Sequence, residues 1–288
     1  MAFPRQVPDI PKQSEHHVLA TDVVYDEVAG EPLRYDLYRP RRVNGLAPAV
    51  VFIHGGGWAF GDPSQAAGNG MHFARAGIAT VSLSYRLAPT HRFPAQLDDV
   101  RRGLRYVRRH AEELGIDASR LVLLGLSAGA HLAMLAHLAR GVPALEPDLP
   151  AELAGVSEDV LAVIAHYGPY DLARRRPLPG WDPIGDLLGE RAGDPEWIRL
   201  ASPVMHASAA DAPVLLIHGT ADEVVSYRES ERMHAALTAA GKASDLLLLE
   251  GAPHAFQVEW RGEANRRAND AMDALLARLG MREVASRV

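Results

Sequence analysis

Apolar residues in this chain fall into two alternating patterns, short unbroken runs and stripes at helical spacing. The runs at Ala49-Val50-Val51-Phe52-Ile53, Leu121-Val122-Leu123-Leu124, Leu161 to Ala165, Val214 to Ile217 and Leu246 to Leu249 have the length of strands covered on both faces, and the alternating Thr80 to Tyr85 also reads as a strand. Between them, Met71 to Ala76 (stopped by Gly77), Pro94 to Leu114, Ala130 to Ala139 and Ser226 to Ala240 (stopped by Gly241) read as helices. In the second of these, Leu97, Val100, Leu104, Val107, Ala111 and Leu114 form one stripe. A last helix carries Ala268, Ala271, Met272, Leu275, Leu276 and Leu279 on one face. Near the start, Val23-Val24-Tyr25 and Leu33 to Tyr38 alternate around Ala29-Gly30-Glu31-Pro32, which predicts an antiparallel hairpin. The sum is an α/β fold: a mostly parallel central sheet of about eight strands, flanked by helices on both faces.

Three stretches break the pattern. Met1 to Thr21 is polar, carries Pro4, Pro8 and Pro11, and reads as a loosely held arm. Gly141 to Asp159, rich in proline and acidic residues, reads as a loop or short insertion. Residues 168–211 have scattered Pro and Trp, little periodicity and many charges, and read as a small cap or excursion over the sheet. With no repeat or linker in view, 1–288 is expected to be one domain. The arginines of the second helix (Arg101, Arg102, Arg105, Arg108, Arg109) interleave with Asp98, Asp99, Glu112 and Glu113, which predicts a solvated, salt-bridged face rather than a nucleic-acid surface.

Composition narrows the function. The net charge of −6 gives no reason to expect nucleic acid or an anionic membrane as a partner. With no cysteine, disulfides, thiolate metal sites and a cysteine nucleophile are excluded. No signal-peptide pattern and no bilayer-length apolar stretch is seen, so the expectation is a cytoplasmic protein without membrane attachment. Monomer and homodimer both fit.

The polar residues that matter cluster after strand ends, where ligands bind in open α/β sheets. Gly125-Leu126-Ser127-Ala128-Gly129 lies between a buried strand and a helix that starts at once, so Ser127 occupies a sharp corner with small neighbours. A serine hydroxyl needs a base to take its proton, the base needs a carboxylate to orient it, and the oxyanion formed needs preorganised N–H donors. His254 follows the last strand and suits the base; His234 is mid-helix and His218 comes too early. For the acid, Asp222 follows the penultimate strand, with Glu223 adjacent and Asp171 a competitor. After the strand ending at Ile53, Gly55-Gly56-Gly57 offers amides with no side chains in the way, and His54 is expected to brace that loop. His131 and His218 read as packing or surface residues. No His-Glu-x-x-His, zinc spacing, phosphate loop or Ser-x-x-Lys is present, so no metal and no cofactor is expected.

These motifs, with Trp58 after the glycines, Tyr85-Arg86-Leu87-Ala88-Pro89, Phe93-Pro94-Ala95, Asp98-Asp99 and His218-Gly219-Thr220-Ala221-Asp222, resemble the α/β-hydrolase superfamily. More narrowly, the chain resembles hormone-sensitive-lipase-like esterases and their feruloyl/acetylxylan-esterase-like relatives, over roughly Val23 to Leu279. The resemblance implies Ser127 as nucleophile, Asp222 as acid, His254 as base, and oxyanion donors from Gly56, Gly57 and Ala128. Two departures from the lipase-like pattern are Leu126, where aspartate is frequent, and the short segment before the first strand. The second points to an open site and a small ester substrate. Large side chains near strand ends are the pocket candidates: Trp58, Tyr85, Leu126, Tyr167, Tyr170, Trp181 and Phe256. The expected activity is a serine carboxylesterase acting through an acyl-enzyme. The alternatives are an aryl-ester esterase, amidase or formamidase on the same triad, and a non-catalytic ligand-binding relative.

Overall fold

A computed structural model of the chain describes residues 15–174 and 177–281. Its centre is an eight-stranded sheet in the order β1-β2-β4-β3-β5-β6-β7-β8. The strands are β1 (His17–Val28), β2 (Glu31–Pro40), β3 (Ala47–Ile53), β4 (Ala79–Leu83), β5 (Ile116–Leu126), β6 (Val163–His166), β7 (Val214–Gly219) and β8 (Ser244–Leu249). β1 and β2 form the expected hairpin, β2 pairs antiparallel with β4, and every other pairing is parallel. The unbroken apolar runs become the interior strands because both faces are covered: all seven residues of β3 are buried.

Strand parity divides the core. Val51, Ile53, Leu121, Leu123 and Leu216 face α2 (Ala95–Arg109), α3 (Ala128–Leu138) and α6 (Arg228–Ala239), following α1 (Ala67–Arg75) in the chain. Val50, Phe52, Val122, Leu124 and Ile217 face the other way, against Phe73 of α1 and against Met272 and Leu276 near the chain's end. Full burial of each such side chain stabilises the fold by about 1.5–3 kcal/mol. The connection from β6 to β7 contains α4 (Pro183–Leu188) and α5 (Pro195–Leu200). Each begins at an Asp-Pro pair: Asp182 accepts the Gly185 N–H, Asp194 accepts the Glu196 N–H, and the proline fills a position whose N–H is not needed. The last helix is α7 (Glu263–Arg278). No helix among the described residues is long and apolar enough to cross a membrane.

Several expectations need correction. The arm does not extend to Thr21: β1 begins at His17, whose buried ring packs on Tyr38, while residues 1–14 lie outside the described residues. α1 starts four residues earlier than read, β4 stops before Ser84 and Tyr85, and α2 ends at Arg109 with its last residues forming turns.

The arginines of α2 are salt-bridged as expected, but of the five only Arg109 is exposed, so the face is largely covered rather than solvated. Arg101 is 2% exposed and donates from Nε to Glu158 at 2.7 Å; Arg102 pairs with Asp26 at 2.8 Å, and Arg105 with Glu158 at 2.6 Å. Their partners come from β1 and from the 141–159 segment, which folds over the helix. Of the interleaved acids, Asp99 turns instead to Arg86 at 2.8 Å.

Candidate active site

Ser127 sits at the corner between β5 and α3 with φ 54° and ψ −118°, a conformation a non-glycine residue adopts at a cost of about 1–3 kcal/mol. The surroundings enforce it. A Cβ on Gly125 would lie 2.2 Å from the Gly129 carbonyl oxygen, and one on Gly129 would lie 2.1 Å from that of Ile53, so the elbow is as tight as two glycines permit. The Ser127 N–H donates to the His166 carbonyl at 2.9 Å, tying the corner to β6. Its side chain is half-buried, reachable from solvent.

His254, in the loop after β8, places Nε2 3.2 Å from Ser127 Oγ and Nδ1 2.6 Å from Asp222 Oδ2. Tyr167 stands edge-on to the imidazole, ring centroids 4.6 Å apart, and is itself held by its hydroxyl on Gln257 at 2.5 Å. The Asp222 side chain is fully buried. Its Oδ1 accepts the N–H groups of Val224 and Val225 at 2.8 and 2.7 Å. Its Oδ2 also lies 3.2 Å from Nε2 of His218, the last-but-one residue of β7. Burial pushes the Asp222 carboxyl up, but hydrogen bonds from His218 and His254, the charge on His254 and the Val225 amide together hold it well below the usual carboxylate range. It is therefore ionised at neutral pH and fixes the orientation of His254.

The glycine loop after β3 closes the other side. A Cβ on Gly55 would lie 3.3 Å from Ser127 Cβ, so loop and elbow touch. Gly56 and Gly57 take φ +120° and +58°. Among the described residues, nothing accepts a hydrogen bond from the N–H groups of Gly56, Gly57 or Ala128. His54 braces the loop: it is buried, stacks on Tyr85 at 4.1 Å, and brings Nδ1 to 2.8 Å from the Gly55 carbonyl. Burial lowers its pKa to about 4, so the ring stays neutral.

The remaining residues singled out in the sequence sort by burial. Trp58 is 1% exposed and donates from Nε1 to His131 Nδ1 at 3.2 Å; Tyr85 donates to the His54 carbonyl at 3.1 Å; Leu126, Tyr170 and Phe256 are buried too. Asp171 pairs with Arg174 at 2.8 Å, and Glu223 is exposed. His131 is fully buried, as is His218, so neither is a surface residue. His218 touches the acid and not the serine, so a motif built around the serine does not mark it; its i, i+4 spacing to Asp222 is the signal in the sequence. Among the described residues, no three His, Asp or Glu side chains form a group that could hold a metal ion.

The chain is similar to known esterases in sequence and in fold. The BD-FAE family model matches residues 35–237. Esterase LipC of Mycobacterium tuberculosis is 32% identical over 220 residues, 74% of this chain and 54% of LipC. This chain spans about half the length of the curated relatives it matches. A thermophilic esterase of the Planctomycetes species Thermogutta terrifontis, in a propionate-bound structure, superposes with a TM-score of 0.78 at 28% identity, covering 97% of this chain and 99% of that one. A truncated carbohydrate esterase from gut microbiota gives a TM-score of 0.80 at 25% identity over 91% and 98%.

Proposed function

The chain belongs to the BD-FAE family and has the α/β-hydrolase fold, and on that premise we propose that it is a serine carboxylesterase acting on small to medium uncharged esters. The observation that carries the reading is the continuous contact from Ser127 Oγ through His254 to the buried Asp222, beside three amides that lack an acceptor among the described residues.

Ser127 Oγ attacks the ester carbonyl while its proton passes to His254 Nε2. The imidazolium is stabilised through Nδ1–H by ionised Asp222. The carbonyl oxygen becomes an oxyanion that accepts from the N–H groups of Gly56, Gly57 and Ala128, the last at the start of α3, where the helix dipole adds to the attraction. Collapse expels the alkoxide, which takes the proton from His254 and leaves Ser127 acylated. Water then attacks the acyl carbon, passing its proton to His254, and the acid is released as Ser127 recovers its hydrogen. The propionate-bound structure of the Thermogutta terrifontis esterase supports a short-acyl reading.

Substrate length tests the proposal. A long acyl chain gains about 0.8 kcal/mol per methylene only where apolar walls bury it. The connection above the site carries Asp182, Asp186, Glu190, Arg191, Asp194 and Glu196, a charge density unsuited to a long apolar tunnel. The catalytic efficiency on straight-chain nitrophenyl esters, measured from acetate to palmitate below each solubility limit, is expected to peak at about two to six acyl carbons. A maximum at about ten carbons or more contradicts the open-site reading.

A further inference from the structure

Trp181, in the connection between β6 and β7, rests directly on the glycine loop. A Cβ on Gly57 would lie 2.1 Å from Trp181 Cη2 and 2.9 Å from Cζ2, so the edge of the indole packs against the Gly57 Cα, on the residue whose amide faces the reacting carbonyl.

The ring is fixed in place. Its Nε1–H donates to Asp186 Oδ2 at 2.8 Å, and the backbones of Leu178 and Trp181 bond each other in both directions at 2.7 and 3.0 Å. Asp186 belongs to α4, whose Leu187 and Leu188 are buried. That helix is tied to the body by the Phe93 N–H on the Leu187 carbonyl at 2.9 Å and by Arg92 on the Gly185 carbonyl at 3.1 Å. Phe60, just past the glycines, packs on the indole with centroids 5.5 Å apart. Yet Trp181 is only half-buried and Phe60 is 48% exposed. Core aromatics such as Trp58 and Tyr170 are sealed away, whereas this pair presents its apolar surface to solvent beside the Gly56 and Gly57 amides.

We propose that Trp181 is the specificity-determining residue of the site: its indole, seated on Gly57 and latched by Asp186, is the wall against which the acyl chain of the bound ester packs and which limits that chain's length. The assignment rests on the esterase reading above. A carbonyl oxygen held by the Gly57 amide lies about 3 Å from it, which leaves the first carbons of the acyl chain in reach of the ring on the same residue. Each methylene buried there gains about fourfold in efficiency. Beyond the ring's fixed position, further methylenes are turned out to water.

The test is kcat/KM for nitrophenyl esters from acetate to decanoate, with wild type, Trp181→Ala, Trp181→Phe and Asp186→Ala, each checked for an unchanged thermal transition. Trp181→Ala is expected to move the optimum to longer chains and raise the decanoate-to-acetate ratio by about tenfold or more, the worth of two buried methylenes. Asp186→Ala, which frees the indole, is expected to shift it the same way, and Trp181→Phe, which keeps a ring on Gly57, less than alanine does. An active wild type whose chain-length profile is unchanged by Trp181→Ala, or whose rates fall equally on every ester, overturns the role of Trp181 alone. A wild type inert to all these esters and unlabelled by an organophosphate overturns the esterase reading itself.

Discussion

His218 Nε2 lies 3.2 Å from Asp222 Oδ2, the same carboxylate oxygen that His254 Nδ1 reaches at 2.6 Å. Nε2 is also 2.9 Å from the Val225 carbonyl, and Nδ1 is 2.7 Å from Ser230 Oγ. The two acceptors at Nε2 make it the donating nitrogen of the ring. Asp222 is thus gripped on one oxygen by two histidines and on the other by two amides.

His218 is therefore expected to act on the rate by positioning Asp222, without touching substrate. A hydrogen bond to a charged group is worth about 1.5–3 kcal/mol, so His218→Ala is expected to lower kcat about 10- to 100-fold with KM little changed. Asp222→Asn sets the scale at about a thousandfold or more, and Asp171→Asn, on a residue paired with Arg174, is expected to stay within about threefold. Steady-state kinetics on a short ester checks all three. A His218→Ala enzyme that raises KM and leaves kcat alone contradicts the positioning role.

The buried ions beneath the 141–159 segment govern stability. Glu158 is 5% exposed and accepts from both Arg101 and Arg105. Removing the carboxylate leaves Arg101 charged and buried, so Glu158→Ala is expected to destabilise the fold by about 3–5 kcal/mol while kcat/KM at low temperature is unchanged. Glu231→Ala, which breaks only the solvent-facing pair with Arg228, is expected to leave the unfolding transition almost unmoved. Urea unfolding of Glu158→Ala and Glu231→Ala distinguishes them, and equal losses contradict the assignment.

That contrast shows where sequence reading succeeds and where it stops. β3 and the apolar part of β5 were legible because central parallel strands are buried on both faces and leave unbroken runs. The start of β5, Asp117 to Arg120, was not, since those residues carry no apolar pattern and lie beside a register shift. A charged helix face looks alike whether water or another segment covers it, and the partners of Arg101 lie 45 and 57 residues away. At the site, the expected serine, histidine and aspartate lie together because each follows a strand of known direction. His218 stayed hidden because its partner is the acid. The pocket candidates were too many because a large residue at a strand end can face the core as readily as the site, as Tyr85 and Tyr170 do.

Stability is expected to fall on mild acidification. Burial lowers the pKa of His54 to about 4, and burial with Arg140 nearby takes His137 to about 4; burial with His218 nearby takes His166 to about 3, all from 6.5. The folded protein keeps these rings neutral while the unfolded chain protonates them, so the stability they carry is complete above pH 6.5 and is lost as pH drops towards 4. Asp98 works the other way: burial and Asp99 raise it from 3.8 to about 6, so it holds a proton in the folded state that the unfolded chain releases. Three protons gained against one released leave about two taken up on unfolding, or about 2–3 kcal/mol per pH unit near pH 5. Urea unfolding at pH 7, 6 and 5 measures this, and a free energy that stays flat or rises towards pH 5 contradicts it.

The central claim is that Ser127 is the nucleophile, and the turnover of a short nitrophenyl ester by purified, folded Ser127→Ala tests it most directly. Losing the nucleophile from a cooperating triad costs about four to six orders of magnitude, and that is the fall expected here, with little change in the unfolding transition because alanine keeps the Cβ at the strained corner. A folded Ser127→Ala protein that keeps more than about one-hundredth of the wild-type rate would show that the ester is cleaved by some other group.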